Sequence, residues 1–132
     1  MRRACRASES RKHERRCRES QRRVGGRIFE SIDGTDGEHV VEVGTVRAWD
    51  PPQRLIFGWR NANYAPGEYT EVEVNFDPMP HGTLVKVTHR GLAALRPDHP
   101  ARHGQPPAQF VRMIGLWWGD QMTALREFSS AR

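Results

Sequence analysis

His89 and Trp59 are the residues of this chain best placed to do chemistry from inside a fold. Each carries a polar group on a ring and stands in an alternating run. Parity in a strand sends every second side chain to the same face. In 83–90, Val85, Val87 and His89 share one face, with Lys86, Thr88 and Arg90 on the other. In 54–59, Leu55, Phe57 and Trp59 share a face; in 69–76, Val72, Val74 and Phe76 do, opposite Glu71, Glu73 and Asn75. A histidine on such an apolar face would act as an acid or base, or as a hydrogen-bond partner for a ligand. The competing reading is a core-edge histidine satisfied by a neighbour or by water. No Ser, Cys or Asp stands at a spacing that completes a catalytic set, so no catalytic residue is assigned.

The other histidines carry less. His99 and His103 have the i,i+4 spacing of a helical metal pair but lie among prolines, and no HExxH is present. Cys5, His13 and Cys17 do not match a zinc-finger arrangement, so neither a metal nor another cofactor is expected. "VGGR" (24–27) lacks the GxxxxGK[ST] pattern of a phosphate loop, and there is no G-x-S-x-G elbow.

Charge divides the chain. Residues 1–23 hold ten of the 21 Lys and Arg but three of the 16 Asp and Glu; the remainder is mildly acidic. The basic segment has no apolar stripe at any period, and we read it as a disordered tail. Its arginines would contact phosphates in a salt-dependent way. It lacks aromatics to stack bases, which argues against nucleic-acid binding and leaves it as an alternative. Both cysteines lie in the tail, so no disulfide framework is expected to hold the fold. No apolar stretch reaches membrane-spanning length, and the start lacks the apolar core of a secretory signal. The expectation is a cytoplasmic protein with no membrane partner.

From Val24 onward the pattern is that of short strands and short turns. Strands are expected at 26–32, 39–49, 54–59, 69–76 and 83–90, with turns at 33–38, 50–53 and 77–82. Residues 91–107 hold four prolines and no period, a long loop of functional or disordered kind. Then 108–128 has helical spacing, with Phe110, Ile114, Trp117 or Trp118, Gln121, Leu125 and Phe128 on one side. Gly115 and Gly119 are four apart, share a face, and are read as allowing close packing. The fold class is α+β: a curved antiparallel meander of about five strands gripping one long C-terminal helix.

"VGGRIFE", "GTVRAWDPPQRLIFGW", "VEVNFDP", "HGTLVKVTHRGL" and the terminal helix with its Trp pair together resemble the SRPBCC superfamily of START and pollen-allergen-like domains. The nearest branch is similar to homologues of the activator of the heat-shock-protein-90 ATPase. The resemblance covers 22–128 and implies a helix-grip fold with an apolar cavity between sheet and helix. That family opens with a strand and two short helices, which are missing here. The expected organisation is therefore a tail at 1–23 and a truncated domain at 24–132, with an open sheet edge suited to self-association.

The expected cavity is lined by Phe57, Trp59, Val74, Phe76, Val87, His89, Met113, Trp117 and Trp118, with 91–107 as its lid. Gly58, Gly115 and Gly119 are read as leaving room beside the aromatics. Aromatics on a helix are more often plain core, which is the competing reading of Trp117 and Trp118. The functional expectation is a module that binds a small apolar ligand or a protein partner, with no defined catalytic activity. The alternative from another class is a cyclase- or dehydratase-type enzyme using His89.

Overall fold

Alternation between apolar and charged residues produces a single antiparallel sheet. The computed structural model describes residues 16–34, 37–60, 64–65 and 67–131. Six strands follow one another in space as in sequence: β1 (Arg16–Ser20), β2 (Arg27–Gly34), β3 (Gly37–Asp50), β4 (Arg54–Trp59), β5 (Thr70–Met79) and β6 (Gly82–Arg90). A long helix, α1 (Pro107–Ser130), closes the chain, so the architecture is α+β with the elements of a helix-grip fold. The chain divides into two compact units, residues 1–90 and residues 91–132.

Register defines the two faces of the sheet. Val72 pairs with both Phe57 and His89, and Phe57 with Val46; Val74 pairs with Leu55 and Val87, and Phe76 with Val85. These residues form one largely apolar face, with Val43, Val46, Phe57 and Val72 buried. The opposite face is ionic. Arg47 reaches Glu71 at 3.2 Å, and Arg90 reaches Glu71 at 3.5 Å and Glu73 at 2.7 Å. The Arg90 hydrogen bond, helped by one from Asn75, holds the Glu73 carboxyl below its usual range. Exposed pairs of this kind contribute little each. Their main effect is to make the solvent side of "TEVEVNF" unmistakably polar.

The first strand corrects the reading of 1–23 as a disordered tail, since Arg16–Ser20 pair with Ile28–Ile32 of β2. Nothing in "RCRES" alternates, so a hydrophobic pattern could not reveal it. Its pairing follows from the loop that returns to β2. Gly25 adopts φ 77°, and Gly26 approaches the carbonyls of Gln21 and Arg23 so closely that no Cβ would fit. Gly25 N donates to Val46 O at 2.8 Å and Val46 N donates to Gly26 O at 2.7 Å, so "VGGR" is a structural loop fastened to β3. Residues 1–15 lie outside the described part.

The five other strands match the expected ones within a few residues, β4 to the residue. The peptide between Pro51 and Pro52 in the β3–β4 turn is cis. β5 runs on to Met79, which shortens the expected turn at 77–82. Glycine packing departs from expectation. A Cβ on Gly58 would point at the Arg47 guanidinium, 3.4 Å from Nε, which is the ionic face and not the side of Phe57 and Trp59. At Gly115 and Gly119, both exposed, a Cβ would meet nothing within 4 Å among the described residues.

The expected loop at 91–107 contains two short 3-10 turns, Leu92–Ala94 and Pro100–Arg102. A buried arginine organises them. Arg102, 4% exposed, donates from Nη2 to Leu95 O at 2.6 Å and from Nε to Arg96 O at 3.1 Å, with Leu92 O at 3.5 Å. Its guanidinium lies 5.0 Å from the centroid of the Phe110 ring, and Phe110 is fully buried. His99, also buried, accepts from Ala101 N through Nδ1 at 3.0 Å and so caps the second turn. Proline frequency and missing periodicity concealed this arrangement.

Candidate functional site

One end of the apolar sheet face turns polar. β4 ends there at Trp59, β5 begins there at Thr70, and β6 ends there after His89. Thr70 is 1% exposed, and its Oγ1 lies 2.6 Å from His89 Nε2. The same hydroxyl is 3.5 Å from the Trp59 carbonyl, to which it donates. When the hydroxyl proton is used in that way, Nε2 carries the ring proton and donates to Oγ1. Burial pushes the His89 pKa below its ordinary value, since desolvation disfavours the imidazolium. At neutral pH the ring is neutral, fit to exchange hydrogen bonds and unable to offer a fixed positive charge.

The β4–β5 connection adds buried polar groups at this end. Arg60 N donates to Val43 O at 2.6 Å, and its Nη2 donates to Tyr64 O at 3.3 Å. The Arg60 Nε is buried without a hydrogen-bond partner among the described residues. Tyr64 is 6% exposed; burial raises its phenol pKa, and the Glu68 carboxylate adds to the rise. Glu68 accepts from Ala65 N at 3.3 Å. On β2, Ile28 pairs with Gly44 and Gly44 with Trp59, so Ile28 faces as Trp59 does. Glu30, two residues on and 5% exposed, is on that face too.

Six of the nine expected lining residues are brought to this face: Phe57, Trp59, Val74, Phe76, Val87 and His89. Phe57 is buried and the other five are half-buried. The Phe57 and Trp59 rings lie 5.9 Å apart, tilted by 53°. Met113, Trp117 and Trp118 are on α1 in the second unit, all half-buried. The two tryptophan rings meet edge to face at 4.8 Å, so consecutive residues share one aromatic cluster.

Thr70 is the main omission from the expected set. It has the parity of Val72, Val74 and Phe76, and extending the alternation by two residues finds it. Tyr64 and Glu68 offered no such signal, because both lie in an irregular connection, whereas Glu30 has the parity of Ile28. Among the described residues no three His, Cys, Asp or Glu side chains gather as a metal site would require. No described helix is long and apolar enough to cross a membrane.

Comparison with known families gives one match. The family described as activator of Hsp90 ATPase homolog 1-like protein matches residues 12–111. The match starts within the basic segment, ahead of β1, and earlier than the resemblance read from 22 onward. No curated protein and no solved structure matches significantly.

Proposed function

Because the chain belongs to the activator of Hsp90 ATPase homolog 1-like family, of SRPBCC type, we propose that it is a binding module whose apolar sheet face receives a small hydrophobic molecule. The observation that carries this reading is the Thr70–His89 pair, a short hydrogen bond at the end of an apolar face. A neutral imidazole and a hydroxyl beside Phe57, Trp59 and Val87 suit a ligand that is mostly apolar with one carbonyl or hydroxyl. Such sites are lined by apolar groups and oriented by a few polar ones. The family's description also makes a protein partner a reading of the same binding class.

Displacement of an apolar fluorescent dye from the full chain tests the proposal. His89→Phe and Thr70→Val keep shape while removing the polar groups. Each should weaken ligands bearing a carbonyl or hydroxyl by about the worth of one hydrogen bond, ~1 kcal/mol. Purely apolar ligands should be unaffected. If no dye binds, or if both variants bind carbonyl ligands like the parent, the reading fails.

A second reading is favoured by the buried ionisable groups at the same end, Tyr64, Glu68 and Glu30. A cyclase- or dehydratase-type reaction needs a second proton-transfer group besides His89, and these are the residues that would supply it.

A further inference from the structure

Among the described residues β6 is the last strand of the sheet and has a strand neighbour on one side only. Of the features that usually blunt such an edge it carries charge alone, at Lys86 and Arg90. Its nine residues, Gly82–Arg90, include no proline, and its register with β5 runs from Met79–Gly82 to Glu71–Arg90 without a shift. The β2–β3 and β3–β4 ladders, by contrast, each contain one. The other end strand, β1, has five residues. A regular edge of nine residues presents backbone donors and acceptors along one side, ready to extend the ladder.

We propose that β6 pairs antiparallel with β6 of a second copy of this chain, about a two-fold axis at Val87. Side-chain parity and charge select this register. An isologous pairing that keeps the apolar row on one face must be centred on a residue. Centring on Lys86 sets two ammonium groups directly opposite, which is unfavourable. Centring on Val85 leaves His89 and Arg90 beyond the overlap. Centring on Val87 sets Val87 against its own copy, Val85 against His89, Lys86 against Thr88 and Leu84 against Arg90.

No like charges then face each other. The half-buried apolar row meets its counterpart, and Leu84, 46% exposed, is covered by an arginine stem. The charges of the basic row are already offset within each copy, Lys86 by Asp77 at 3.5 Å and Arg90 by Glu73 at 2.7 Å. Pairing β6 with β1 of another copy would leave a free β6 at one end and propagate. The two-fold pairing closes after two copies and forms one continuous sheet. This proposal is independent of the ligand reading.

Sedimentation velocity of the full chain over a wide concentration range should show a monomer–dimer equilibrium. Thr88→Lys, on the exposed ionic face opposite Glu73, sets lysines against Lys86 twice across the axis. It should weaken the dimer about tenfold, with the far-ultraviolet spectrum unchanged. Thr88→Glu should strengthen it several-fold. In the registers centred on Lys86 or Val85, residue 88 faces Leu84 or Gly82, so neither substitution would act in this way. A chain that stays monomeric throughout, or a dimer equally strong in all three proteins, overturns the proposal.

Discussion

Replacing Arg102 by Met removes the guanidinium and keeps the length of the stem. In the wild type, two short hydrogen bonds run from this cation to Leu95 O and Arg96 O, at 2.6 and 3.1 Å, and the contact to Leu92 O is at the limit of a bond. A hydrogen bond from a charged donor contributes roughly 1.5–3 kcal/mol net. Two such bonds lost, with the weaker third, set the cost at about 3–5 kcal/mol, reduced where relief of the buried charge helps. Among the described residues no carboxylate forms an ion pair with Arg102, so the carbonyls are its partners. Lysine keeps the charge but cannot span the carbonyls, and should recover less than half of the loss. Urea denaturation gives the total. Hydrogen exchange gives the location: the amides of Leu95, His99 and Gln105, which close the turns onto Leu92, Arg96 and Arg102, should lose protection first. If R102M unfolds within 0.5 kcal/mol of the wild type and leaves those amides protected, this account of 91–106 is wrong.

Two other outcomes are expected. Gly115→Ala and Gly119→Ala should each stabilise α1 by about 0.5–1 kcal/mol, because the helix gains propensity and the added methyl meets nothing within 4 Å; a lowered thermal midpoint would mean that the glycine face is occupied. The depressed His89 pKa predicts that stability is complete above the ordinary value of 6.5 and declines as pH falls below it, because the unfolded chain there binds a proton that the folded chain resists; His89→Gln should flatten that part of the pH–midpoint curve relative to wild type, and an identical slope would refute the assignment.

What could be read from the sequence was what repeats. "TEVEVNF" and "TLVKVTHR" announce both their strand character and their faces, and the pairing of Val72 with His89 agrees with that parity. The spacing of Phe110, Ile114 and Trp117 located α1, because a helix with one apolar stripe has no other way to space it. β1 was hidden because an edge strand of polar residues is held by its backbone ladder. Arg102 was hidden because arginine is rarely buried, and only its three-dimensional ring of carbonyls makes burial tolerable. Gly58 was misjudged for a related reason: a missing side chain says nothing about which neighbour, here Arg47, fills its place. The polar end of the sheet face was half legible, His89 by parity and Thr70 by the same parity carried further.

The sheet is wound so that every strand lies beside its neighbours in sequence, and the loop at Gly25 and Gly26 is fastened to Val46 on the strand that pairs with β2. Folding of such a meander demands few distant encounters, and each hairpin can zip onto the last at small entropic cost. The clasp at Val46 belongs to this order. It continues the β2–β3 ladder one rung past Arg27 and Thr45, so it forms with that hairpin and marks where the chain turns back into β1. β1 is laddered to β2 alone, so its five residues should fray while the β2–β3 hairpin, fastened at Val46, stays shut.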